Sequence, residues 1–140
     1  MAYLDTSLLV SALTNELRTR EIQEWLAAQL ADDLIISDWV ITEFCSALSV
    51  KVRNGQLAPS HRADALAAFT SMTELSFSVL ALSRLDFRTA ARFADQYATG
   101  LRTGDALHLA VAANHGIRIA SLDTGLVQAA DSLGVSAVLL

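Results

Sequence analysis

Five short apolar runs, at residues 2–4, 34–36, 77–82, 117–120 and 137–140, alternate with longer stretches of helical periodicity. A strand buried on both faces reads as a continuous apolar run, and alternation with helices is the signature of a parallel sheet covered on both sides. The pattern predicts an α/β protein: a three-layer α/β/α sandwich around a central parallel sheet of about five strands. Residues 7–13 and 20–30 read as a helical pair, with Ile22, Leu26 and Leu30 recurring at spacing four in the second. Ser37 or Asp38 can cap a helix that carries Ile41, Phe44 and Leu48 on its inner face and stops at Asn54-Gly55. Pro59 is placed to open a helix reaching Glu74, residues 86–97 form another, and Thr103 or Gly104 begins an apolar helix ending at His115-Gly116. At 140 residues the chain fits one domain, residues 1–140. No internal repeat or linker interrupts it.

Four acids punctuate this pattern: Asp5 in MAYLDTS, Glu43 in WVITEF, Asp105 in RTGDALHLA and Asp123 in IASLDTG. Asp5 and Asp123 each follow a predicted strand, at the carboxyl edge where α/β sheets build their sites. Either could simply cap the helix that follows. Glu43 has the apolar Trp39, Val40 and Ala47 as helical neighbours, unlike a solvated surface glutamate, although an arginine partner at a helix edge would also account for it. Asp105 could be a favourable charge at a helix N-terminus. The helix it opens is apolar on nearly every side, however, so it starts inside the protein. Carboxylates in such surroundings must be hydrogen-bonded, paired, protonated or bound to metal. Ser7 and Ser121 lie nearby to orient carboxylates.

His108 falls one turn after Asp105 and reads best as a core histidine or one supporting the site. His61 and His115 sit at predicted surface positions, and no histidine pair has zinc spacing. An all-oxygen cluster suits a hard ion, Mg²⁺ or Mn²⁺. Cys45 has no partner for a disulfide and is expected to be a small buried apolar side chain in a reducing compartment.

Hydrophobic residues make up 53% of the chain and charged residues 18%, which excludes disorder and leaves apolar surface for an oligomer interface. No basic segment opens an export signal, and no apolar run reaches the roughly 18 to 20 residues a membrane span needs. A cytoplasmic protein without membrane association is the expectation. Net charge is -5 with a single lysine, Lys51, so no broad basic footprint advertises nucleic acid. Any RNA or DNA would be held by a few arginines and by metal at the acids. Arg102, just before Asp105, could pair with a site carboxylate or contact a phosphate, and simple surface solvation would account for it equally well.

Together YLDTSLLV, SDWVITEFCSAL, LRTGDALHLAVA and IASLDTGL resemble, in order and spacing, the PIN domain and in particular the small VapC-type ribonuclease toxins of prokaryotic toxin–antitoxin pairs. The resemblance spans nearly the whole chain. It implies that Asp5, Glu43, Asp105 and Asp123 are the acidic metal-binding positions, with Thr6, Ser7 and Ser121 as supporting hydroxyls. It further implies Mg²⁺- or Mn²⁺-dependent hydrolysis of RNA, a homodimer, silencing by a small VapB-type antitoxin, and, from the family's substrate loop near residues 14–20, Arg18 and Arg20 beside Arg102 as candidate substrate contacts. A catalytically inactive PIN-like binding module is the alternative. A receiver-type phosphoacceptor would need a lysine after the final strand, where the chain reads VSAVLL, and Asp5-Thr6-Ser7 lacks the second aspartate of a haloacid-dehalogenase phosphatase.

Overall fold

The computed structural model describes residues 1–140. In chain order the elements are β1 (Ala2–Leu4), α1 (Thr6–Leu13), α2 (Thr19–Ala27), β2 (Leu34–Ser37), α3 (Asp38–Arg53), α4 (Pro59–Leu75), β3 (Ser78–Leu80), α5 (Arg84–Ala94), α6 (Thr103–His115), β4 (Arg118–Ser121), α7 (Thr124–Leu133) and β5 (Ala137–Leu139). Short 3₁₀ turns at Ala31–Asp33 and Tyr97–Thr99 lead into β2 and follow α5. All five strands pair in parallel in the order β3-β2-β1-β4-β5. This is the α/β/α architecture and the strand count expected from the alternation.

Strand order decides where a site can form. The chain steps outward from β1 to β2 to β3, then returns to lay β4 on the other side of β1. Loops leaving β1 and β4 therefore diverge, opening a crevice at the carboxyl edge between them. In register, Ala2 stands opposite both Leu34 and Arg118, so β1 is the fully covered central strand. Its Tyr3 and Leu4 are buried with Ile36, Phe44 and Ile119 in a core of 26 residues. A smaller apolar cluster, Ala90, Ala106, Leu107 and Ala110, joins α5 to α6.

Local chemistry moves some boundaries from their expected places. α2 stops at Ala27, so Leu30 leaves the Ile22–Leu26 stripe and is 74% exposed. β3 is cut to three residues at the sheet edge. α5 starts two residues early because Ser83 and Asp86 form a reciprocal capping box, with the Ser83 hydroxyl accepting from the Asp86 amide at 3.2 Å and the Ser83 amide donating to Asp86 Oδ2 at 2.8 Å. That helix ends at Ala94, which leaves Tyr97 outside it and exposed. Cys45 is exposed, contrary to expectation: the buried face of α3 runs through Val40, Phe44 and Leu48, and the next residue points about 100° away. No helix is long and apolar enough to cross a membrane.

Candidate active site

Asp5 leaves β1 as the N-cap of α1, its Oδ1 accepting from the Leu8 amide at 3.1 Å. Asp123 leaves β4 and caps α7 in the same way, its Oδ1 accepting from the Leu126 amide at 3.2 Å. Both caps also face the crevice, so capping does not remove either carboxylate from it. Ser121 ties the acids to one another, donating its hydroxyl to Asp5 Oδ2 and accepting the Asp123 amide at 2.9 Å. Ser7 Oγ donates to Asp5 Oδ1 at 2.8 Å. Asp5 is only 3% exposed. Burial pushes its carboxyl above the ordinary aspartate range, opposed by the donors Ser121, Ser7 and the Leu8 amide and by the charge of His108.

Glu43 enters from the second turn of α3. Its Oε1 accepts the Thr6 hydroxyl at 2.7 Å and meets His108 Nε2 in a short hydrogen bond. Burial alone would raise the Glu43 carboxyl; the bond to His108, the charge of that ring and the Thr6 hydroxyl outweigh it and hold the group below the ordinary glutamate range. An ionised carboxylate only accepts, so His108 Nε2 must donate to Glu43. Nδ1 of the same ring meets the Tyr3 hydroxyl at 2.8 Å. The Tyr3 hydroxyl also meets that of Ser37 at 2.8 Å, and Ser37, at the N-cap of α3, makes no side-chain cap. Burial, the largest effect on Tyr3, raises its phenol well above the usual range and keeps it a donor. A chain of hydrogen bonds thus runs from Ser37 through Tyr3 and His108 to Glu43.

Asp105, in the first turn of α6, makes no side-chain hydrogen bond to protein. Burial raises its carboxyl, and the charge of Asp123 raises it further, with smaller contributions from Glu43 and Asp5 against the opposing pull of His108. Next to it, Gly104 gives Glu43 room: a Cβ there would lie 2.8 Å from Glu43 Oε2.

All four sequence-selected acids, with Thr6, Ser7 and His108, line a cavity of about 520 Å³ at the β1/β4 switch. Ser121 sits beneath it, holding Asp5. No lysine or arginine lines this cavity, and Glu16 adds a fifth acid at its rim. Arg102 faces a neighbouring cavity of about 290 Å³ that shares Asp105 and Asp123. Arg18 and Arg20 line neither; they pair with Glu21 and Glu24 along α2, and Arg18 also donates to the Leu140 carbonyl. His61 and His115 are exposed and apart from the site, as expected. His108 is buried and supports Glu43, also as expected. Tyr3 was not singled out from sequence, since a tyrosine in an apolar run reads as core, and Ser37 was read only as a helix cap.

The donor set fits a hard divalent cation. Several carboxylates with no compensating cation create a negative, partly desolvated pocket, and Asp105 has oxygens free of any protein donor. No three acidic or imidazole groups stand together as a ready-made cage. Mg²⁺ needs none, because it takes one or two carboxylates and retains water.

Solved structures of similar fold include VapC20 from Mycobacterium tuberculosis, described as a sarcin-ricin loop cleaving toxin, at TM-score 0.76 and 17% identity over 100% of each chain. FitAcB from Neisseria gonorrhoeae aligns at TM-score 0.71 and 20% identity, covering 98% of this chain and 96% of its own. A toxin–antitoxin complex from Klebsiella pneumoniae aligns at TM-score 0.61 and 18% identity, over 89% and 88% of the two chains. These identities establish likeness of fold. No curated protein matches the sequence. The PIN domain family model matches residues 2–132, nearly the whole chain, and with the acids gathered at the β1/β4 crevice the chain belongs to the PIN domain family.

Proposed function

We propose that this protein is a metal-dependent endoribonuclease that hydrolyses RNA phosphodiester bonds, acting as the toxin of a VapBC-type toxin–antitoxin pair. The observation that carries this reading is the cavity at the β1/β4 switch, lined by Asp5, Glu43, Asp105 and Asp123 and by no lysine or arginine. A phosphate cannot approach such a pocket unless its charge is offset, which makes a cation part of the site. Mg²⁺ or Mn²⁺, when bound, supplies an activated water and stabilises charge on the reacting phosphate and the leaving oxygen.

The chain's own residues then have distinct tasks. Asp105, free of protein donors, is the open carboxylate for the cation. Asp5 shares that role from a fixed position, because Ser7, Ser121 and the Leu8 amide hold both its oxygens. Glu43 has Oε1 occupied by Thr6 and His108, so Oε2 is left to face the cation or its water. Asp123 borders both cavities, beside Arg102, which is placed to meet a phosphate of the substrate. The similar folds described as a sarcin-ricin loop cleaving toxin and as a toxin–antitoxin complex support RNA as the substrate class and a protein antitoxin as partner. A homodimer in the cytoplasm completes the reading.

Purified protein freed of antitoxin is expected to cut single-stranded or looped RNA in Mg²⁺ or Mn²⁺ and to stop doing so in EDTA. Asp5→Asn and Asp105→Asn should abolish cutting while the circular dichroism spectrum stays native. Sequencing RNA ends after brief expression, against an Asp5→Asn control, identifies the target. Metal binding without cleavage of any RNA pool would overturn the enzyme and leave a binding module.

A further inference from the structure

The acidic cavity explains how a phosphate could react but not how a chain of net charge -5 holds a polyanion, and the basic side chains are not evenly spread. Three of the ten are in ion pairs: Arg18 with Glu21, Arg20 with Glu24, and Lys51 with Glu16. Of the seven arginines left without a carboxylate partner, three lie on one helix. Arg84, Arg88 and Arg92 recur every four residues along α5, so they share a face, about 6 Å apart along the axis. That face is the outer one. The inner face carries Asp86, Thr89 and Ala90, all buried, whereas all three arginines are exposed.

Asp86, the one acid inside the helix, is buried and turned to Asn114 at 2.8 Å, so it does not neutralise the stripe. Asp95, at the C-cap, is the only acid on the outer side and makes no ion pair with Arg92. Two apolar side chains flank the arginines in the open: Leu85 at 58% exposure and Phe87 at 56%. Guanidinium groups interleaved with an exposed ring are the composition of single-stranded nucleic-acid grooves, where cations follow phosphates and rings stack on bases.

The stripe also points the right way. Asp86, near the start of α5, bonds Asn114 near the end of α6, and a short connection returns the chain from Ala94 at the end of α5 to Thr103 at the start of α6. The two helices are therefore antiparallel, and the C-terminal end of α5 approaches the catalytic end of α6. From there Arg102 continues the basic path into the smaller cavity beside Asp105 and Asp123.

We infer that the outer face of α5, Arg84, Arg88 and Arg92 with Phe87, is the docking track for single-stranded RNA, leading its backbone past Arg102 to the acidic cavity. This rests on the endoribonuclease reading above for its choice of polyanion. Self-association through the same face would set these arginines against their own copies, and charge opposes it.

The test uses the full chain carrying Asp5→Asn, so that RNA survives, and a fluorescein-labelled single-stranded RNA of about 20 nucleotides followed by anisotropy across a NaCl series. Replacing Arg84, Arg88 and Arg92 together by alanine should flatten the log–log salt slope by about 2, at roughly 0.7 per phosphate contact, and weaken binding at least about tenfold at low salt. The triple lysine replacement should keep the slope. Phe87→Ala should weaken binding about tenfold and leave the slope alone, since stacking releases no counterions. An unchanged slope in the triple alanine variant overturns the inference. So does an equal loss in Arg53→Ala/Arg62→Ala, which removes two unpaired arginines from α3 and α4. A triple alanine variant that loses only dimerisation or antitoxin binding, with RNA affinity intact, also overturns it and assigns the face to protein. Cleavage of the same RNA by the Asp5-containing protein is measured in parallel. Cleavage with stripe-independent binding refutes the track alone; stripe-dependent binding without cleavage refutes the nuclease alone.

Discussion

Gly104→Ala isolates the geometry of the acidic site from the stability of the fold. A methyl group at position 104 would stand 2.8 Å from Glu43 Oε2, whereas ordinary contact begins at 3.4 Å, so the carboxylate must retreat by about 0.6 Å. It has little freedom to do so. Oε1 is held by Thr6 at 2.7 Å and by His108, and Trp39 Cζ2 would be 3.6 Å from the same methyl group. Moving Glu43 therefore loosens hydrogen bonds to a charged group, each worth about 1.5–3 kcal/mol. The helix itself favours the change by up to about 1 kcal/mol, because alanine replaces glycine in α6. With the equivalent of no more than one of the two bonds lost against that gain, overall stability should fall by no more than about 2 kcal/mol. Activity should fall far more, by about ten- to a hundredfold, since a displacement approaching 1 Å in a catalytic constellation costs up to about 10²-fold. Initial rates on a labelled RNA, with thermal melts with and without Mg²⁺, measure both quantities. Gly125→Ala supplies a graded control: its Cβ would meet Asp123 Oδ1 at 3.2 Å, a conflict of about 0.2 Å, and should cost less than about threefold. Gly55→Ala forces a φ of 71° on alanine with nothing within 4 Å, and so should cost about 1 kcal/mol of stability and no activity. Wild-type rates and Mg²⁺ response in Gly104→Ala would refute the claim that Glu43 is held in place for catalysis.

Tyr3→Phe leaves His108 Nδ1 and Ser37 without their partner, and chemical denaturation should show a loss of about 1–3 kcal/mol, together with a nitrogen chemical-shift change at His108 Nδ1. The carboxyl of Asp105 is raised by burial and by the charge of Asp123, so between the ordinary aspartate range and its raised value the folded protein holds more protons than the unfolded chain. Stability contributed by this group therefore falls as pH rises through that window. Urea unfolding in EDTA should show a shallower decline with pH in Asp105→Asn than in wild type, with Asp5, raised in the same sense, supplying the remainder. Asp86 behaves oppositely: burial opposes its ionisation, but the Ser83 amide, Asn114 and the Ser83 hydroxyl prevail and lower its carboxyl. Asp86→Ala should cost about 1–2 kcal/mol at neutral pH, a penalty that disappears below the lowered value, where wild type is protonated too. Cys45, exposed on α3, should react with a thiol reagent in the native protein as fast as after unfolding.

Asp5 and Asp123 show which parts of the site the sequence exposes. Each reads locally as a cap and is one, yet each also lines the cavity, because a residue ending a parallel strand and opening a helix does both at the carboxyl edge. Strand and helix periods carry that information, and for the same reason the five strands were legible. Tyr3 was not: its hydroxyl matters only because β1 lies beside β2 and under α6, bringing Ser37 and His108 to it across 34 and 105 residues. Long-range partners of this kind leave no periodic trace. The arginines of α5 failed differently. Their spacing of four is plain in the chain, but a net charge of -5 averages it away, and only the structure separates arginines in ion pairs from arginines facing open solvent. The polarity of the molecule is local: acids converge inward where strand order reverses, and three of the seven arginines without a carboxylate partner line one face of α5. On the proposed function, a polyanion would meet that arrangement as a basic approach ending at a pocket whose acids need a bound cation to receive phosphate. Substrate affinity and metal dependence should accordingly separate by mutation, with α5 variants changing the salt response and cavity variants the response to Mg²⁺.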